Sequence, residues 1–97
     1  MFSEMIDVDD DEVLLTIDGM SAALVGECST WDHGQRVTRL IYDASVVLRI
    51  LMDRDGMSYD DAREFVSFNI EDAYVGPSTP ILMWPCEILD EGEVPTH

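Results

Sequence analysis

The chain has 97 residues, of which 21 are Asp or Glu and five are Arg, with no lysine, so its formal net charge is −16. That balance excludes direct binding of DNA or RNA through their phosphates, which must be neutralised by cationic side chains, and it disfavours an anionic membrane surface. Hydrophobic residues still make up 46%, so the low hydrophobicity that marks a disordered chain is missing, and no apolar run approaches the ~18 residues of a membrane span.

One domain with a single core is expected at this length, with a radius of gyration of ~12.5 Å. Residues 1–12 hold six acids, among them Asp9, Asp10, Asp11 and Glu12. They read as a flexible, self-repelling arm and as neither a signal peptide nor a basic transit peptide. Asp7, Asp9, Asp11 and Asp18 have the spacing of a calcium loop. Glu12, however, stands where that loop needs Gly, and Asp18 stands where it uses a bidentate Glu. Neither metal nor cofactor is expected.

Residues 13–17 form a short apolar run closed by Asp18-Gly19, which predicts a strand and a tight turn. Residues 21–28 are a second candidate strand, with Gly26 as a bulge. Asp32-His33-Gly34 is a turn signal. Residues 36–42 then alternate, with Val37 and Ile41 on one face and Thr38, Leu40 and Tyr42 on the other. The three segments predict an antiparallel meander. Asp43 caps a helix over 44–54, and Gly56 ends it in the left-handed conformation. Val46, Val47, Leu48, Ile50, Leu51 and Met52 spread around about two thirds of its circumference. Such a helix must be covered on two sides, by the sheet and a second helix or by a dimer partner.

Ser58 caps the second helix, with Asp61 near the capping-box position. This helix is expected to reach Ala73 or Tyr74, where residues 76–80 stop it. Residues 81–84 predict a last strand, closed by Pro85. The expected fold is α+β: a three- to four-stranded antiparallel sheet packed against two helices, in the order β-β-β-α-α-β. Residues 1–12 are the arm, 13–85 the domain and 86–97 an acidic tail.

The second helix carries the functional signal. With Asp60 at 0° and about 100° per residue, Glu71 falls near 20°, Glu64 near 40°, Phe68 near 80°, Asp61 near 100° and Asp72 near 120°. Five acids thus share one third of the circumference, with an aromatic among them and Arg63 only at the margin. A solvated outer face would look similar. A binding ridge is favoured by the lack of interspersed cations and by Phe68 as an anchor. Asn69 projects onto the apolar side, where a buried amide needs partners, and the 76–80 loop is the expected one.

Other chemistry is thinly supported. Cys28 or Ser29 with His33 is the one local nucleophile–base pairing, and no motif surrounds it. Cys28 and His33 lack a second pair for zinc. Cys28 and Cys86 read as reduced thiols. Residues 76–80 hold one glycine and no lysine, unlike a phosphate loop. No enzyme is expected.

Within residues 42–81, the run Arg54-Asp55-Gly56-Met57-Ser58-Tyr59-x-x-Ala62-x-x-Phe65, then Phe68-Asn69-Ile70-x-x-Ala73-Tyr74-Val75-Gly76-x-x-Thr79-Pro80, resembles a group of small phage and prophage proteins. The resemblance implies a phage origin and a compact α+β domain, and it transfers no catalytic residue. The expected function is that of an acidic interaction protein, a DNA mimic that inhibits a basic, nucleic-acid-binding host defence protein (anti-CRISPR or anti-restriction). It would act in the cytoplasm of the infected bacterium. Asp60, Asp61, Glu64, Phe68, Glu71 and Asp72 would form the contact, with Asp9, Asp10, Asp11 and Glu12 as a second patch. The alternative is a phage accessory or structural protein, as a homodimer, whose acidity serves solubility.

Overall fold

The computed structural model describes residues 1–6 and 13–86. The expected second patch, Asp9 to Glu12, and the acidic stretch 87–97 lie outside the described residues.

Residues expected in the arm instead open the fold. Strand β1 (Phe2–Ile6) pairs antiparallel with β2 (Val13–Ile17), with Phe2 opposite Ile17 and Ile6 opposite Val13. The acids of the N-terminal segment cluster after Ile6, which leaves Phe2-Ser3-Glu4-Met5-Ile6 free to pair. The Thr16 hydroxyl donates to the Ser3 carbonyl at 3.2 Å, and Ser3 Oγ donates to Asp18 Oδ1. Asp18 is thereby engaged at the turn after β2.

A 3-10 turn, Ser21–Ala23, separates this hairpin from β3 (Leu24–Asp32). β3 pairs antiparallel with β4 (Gln35–Asp43). The register slips between Leu24 and Gly26, so the bulge falls at the expected glycine. His33 (φ 51°) and Gly34 (φ 78°) link the two strands. Two consecutive positive φ values make the two-residue turn that matches strand twist. The even-numbered face of β4 turns inward, and Leu40 and Tyr42 are buried. The distal half of the hairpin makes no such contribution, and Trp31 near its tip is 72% exposed.

The two sheets replace the expected meander. β2 pairs with β1 and not with β3, and the link between the sheets is made by a side chain. The Ile17 N–H donates to the buried Tyr42 hydroxyl at 3.1 Å. β5 (Ile81–Met83) joins β4 in parallel, Ile41 opposite Ile81. The expectation of a wholly antiparallel sheet is corrected here. The chain leaves β4 through helices and returns by a crossover, which allows parallel pairing. The class is α+β, with sheet orders β1-β2 and β3-β4-β5.

Helix α1 (Ala44–Asp55) starts at Asp43, whose Oδ1 accepts from the Ser45 N–H at 2.9 Å and the Ser45 hydroxyl at 2.6 Å. The Ser45 hydroxyl, with smaller help from neighbouring backbone N–H groups and Arg49, holds the Asp43 carboxyl below its usual range. Gly56 ends the helix at φ 69°. Val47 and Leu51 are fully buried, against β4, the 3-10 turn and α2 (Tyr59–Val66). The expected two-sided cover is therefore supplied within the chain. Leu14, Ile17, Met20, Val66 and Ile70 complete the core.

Candidate interaction surface

Ser58 Oγ accepts from the Asp61 N–H at 3.1 Å, as the capping pattern predicts. Asp60 and Asp61 stand in the first turn of α2, where the helix dipole favours negative charge. Beyond Val66 the helix changes form. Residues Ser67–Glu71 are a π-helical turn, closed by an Asp72 N–H to Ser67 carbonyl bond of 3.2 Å. Such turns are rare and recur at functional sites.

The π turn alters the ridge. It takes one residue more per turn than the α-helix, which sets later residues back by up to roughly 100° from an α projection. Asp60, Asp61, Glu64, Phe68, Glu71 and Asp72 are all exposed. They do not form one continuous face. Asp61, Glu64 and Phe68 share a shallow groove with Met57, Phe65 and Asn69. Glu71 and Asp72 line a different concavity, with Arg39, Tyr74 and Thr79. Asp60 lines neither. The five acids thus divide into Asp61 and Glu64 beside Phe68, Glu71 and Asp72 in the second concavity, and Asp60 in the first turn of α2 outside both.

Phe68 is 68% exposed. No ion pair within 4 Å reaches any of the five acids among the described residues. Arg63, expected at the margin of the ridge, is drawn away from it. Its guanidinium carbon lies 4.3 Å from the centroid of the Trp84 ring, a cation–π contact.

Asn69 differs from expectation. It is exposed, and its Nδ2 donates to the Phe65 carbonyl at 3.0 Å. A side chain inserted into the i→i−4 ladder is one of the recognised causes of helix distortion, and here it stands inside the π turn. The loop it was expected to hold is held by the buried Thr79. Thr79 Oγ1 accepts from the Val75 N–H at 3.0 Å and donates to the Gly76 carbonyl at 2.6 Å. Arg39 Nε donates to the Thr79 carbonyl at 2.6 Å. The Thr-Pro pair was visible in the sequence; Arg39, 40 residues away, was not.

Cys28 and His33 are not brought together. They lie five residues apart along an extended strand and its turn, a span of roughly 16 Å. His33 Nδ1 lies 2.9 Å from Asp32 Oδ2 at the hairpin tip. Cys28 and Cys86 are free thiols. Among the described residues, no three His, Cys, Asp or Glu side chains are grouped to hold a metal. No helix is long and apolar enough to cross a membrane among these residues.

No family model, curated protein or solved structure matches the chain.

Proposed function

We propose that this chain is a non-catalytic interaction protein that docks on a basic surface through the start of α2. The observation that carries this reading is the group formed by Asp60, Asp61 and Glu64. All three are exposed and without an ion-pair partner among the described residues; Asp61 and Glu64 share a shallow groove with Phe68, which is 68% exposed, and Asp60 precedes them in the first turn. Carboxylates around an exposed aromatic combine charge steering with a desolvated anchor. Taken with the phage resemblance of residues 42–81, the partner is a basic, nucleic-acid-binding host defence protein in the bacterial cytoplasm. The carboxylates occupy part of its phosphate-binding groove. The footprint is compact, three acids at the start of α2 with one exposed ring, and a long phosphate-like row is no part of the proposal.

The test is capture and inhibition assays with basic host nucleases at rising salt. Affinity is expected to fall steeply with ionic strength. The triple variant Asp60→Lys, Asp61→Lys, Glu64→Lys should lose binding. Reversal also opposes the helix dipole, so Asp60→Asn, Asp61→Asn, Glu64→Gln serves as a gentler companion. Retained binding by either variant, with native circular dichroism, would sink the reading.

A homodimer through β3 is the second reading. The order β3-β4-β5 leaves one side of β3 unpaired among the described residues, and Val25 there is 54% exposed. The bulge at Gly26 and the acids Glu27 and Asp32 oppose edge-to-edge pairing, which ranks this reading below the first.

A further inference from the structure

The five arginines are scarce against 21 acids, and where each one goes is informative. Arg39 is spent on the Thr79 carbonyl and Arg54 on the Gly19 carbonyl and Asp55. Arg36 lies over Trp31 on the hairpin, 5.9 Å from the ring centroid. The remaining two, Arg49 on α1 and Arg63 on α2, line the same groove between the helices. Neither makes a hydrogen bond or a close ion pair with another described residue. Asp53 lies one turn from Arg49 and lines the groove too, yet the two do not pair within 4 Å. In so acidic a chain, two guanidinium groups around one concavity, neither in an ion pair within 4 Å among the described residues, are unexpected.

Apart from Ser45, the rest of the groove is apolar and aromatic. Leu48 is buried at its floor, and Met52, Tyr59 and Trp84 form its walls. Its volume is about 460 Å³, within the range of small-molecule sites. The Arg63 guanidinium carbon lies over the Trp84 ring, a contact that positions a planar fork of N–H donors suited to a carboxylate. A monoanion fits better than a dianion, because each added negative charge must also be brought against the field of a chain at −16.

We propose that the groove between α1 and α2, beside Trp84, binds a small organic carboxylate with a flat apolar body, its carboxylate held by Arg49 and Arg63. Asp60, Asp61 and Glu64 do not line this groove, so the site uses none of the acids of the proposed contact.

The full chain is titrated with 2-naphthoate and with the neutral 2-naphthylmethanol, following the Trp84 indole and arginine Nε–H signals by NMR. The acid should shift the Trp84 and Arg63 signals and bind at least about ten-fold tighter than the alcohol. Arg49→Gln, an exposed change that leaves the Trp84 contact in place, should weaken the acid about ten-fold and leave the alcohol unaffected; Arg63→Gln should do the same to the acid. Equal affinities for acid and alcohol, full-strength binding by Arg49→Gln, or no shift because residues 87–97 already fill the groove would each overturn the proposal.

Discussion

At the scale of single residues, Tyr42, Gly19 and Asp43 hold the fold at three junctions. The Tyr42 hydroxyl accepts a buried backbone N–H from the other sheet. Tyr42→Phe leaves that N–H unpaired, a penalty of about 1–3 kcal/mol, to be read from urea unfolding. Gly19 sits at φ 76°, and a Cβ there would come within 2.7 Å of Arg54 Nη1. Gly19→Ala should therefore cost about 1–2 kcal/mol from backbone strain alone. An added loss from displacing Arg54 should vanish in the Arg54→Ala background, as a double-mutant cycle would show. Asp43 is a cap whose carboxyl is held low by Ser45. A depressed folded-state value means that its stabilisation is present above the ordinary carboxylate range near ~4 and fades as pH falls through the lower folded value. Asp43→Asn, which still caps, should flatten this acid limb of the stability curve. Asp43→Ala should lose about 1 kcal/mol at neutral pH.

At the scale of elements, the second helix separates what local spacing encodes from what it does not. Its start is written in Ser58 and Asp61, three residues apart, and the cap forms. Its π turn is not, because α and π turns draw on the same residue types, and the side chain that enters the backbone ladder here, Asn69, carries no spacing signal of its own. That one residue of phase divides the expected ridge. It also leaves Phe68 where a structural role is slight. Phe68→Ala should change unfolding free energy by less than about 0.5 kcal/mol and weaken partner binding by about 2 kcal/mol or more. A large loss of stability without loss of binding would return Phe68 to the core. β1 was hidden in the same way: the acids that follow it dominate the composition of residues 1–12, while the pairing rests on the five residues Phe2–Ile6, which do not alternate.

At the scale of the whole molecule, the charge is less concentrated than the total implies. The described residues hold 12 of the 21 acids and all 5 arginines, which leaves −7 of the chain's −16. The radius of gyration is 15.3 Å, with extents of 39 × 39 × 22 Å, larger than the ~12.5 Å expected of a sphere-like chain. A hairpin of two nine-residue strands whose distal half is outside the core contributes to that flat shape, since such a strand spans roughly 30 Å. Carboxylates spread over a slab still repel. The thermal midpoint at neutral pH should rise with added sodium chloride as self-repulsion is screened. A midpoint indifferent to salt would mean that the acids lie too far apart to act on one another.

The sequence by itself determined the α+β class, the caps at Asp43 and Ser58, the left-handed stop at Gly56, the turn at His33-Gly34 and the bulge at Gly26. These rest on hydrogen bonds and backbone angles that span a few residues, so the residue types and their spacing are sufficient. Only the tertiary structure decided that β2 pairs with β1, that β5 lies parallel to β4, that Arg63 leaves the acids for Trp84, and that the acidic ridge is split. In each case several partners satisfy the same local pattern. The choice among them is made by which edges and side chains the closed core brings within contact distance.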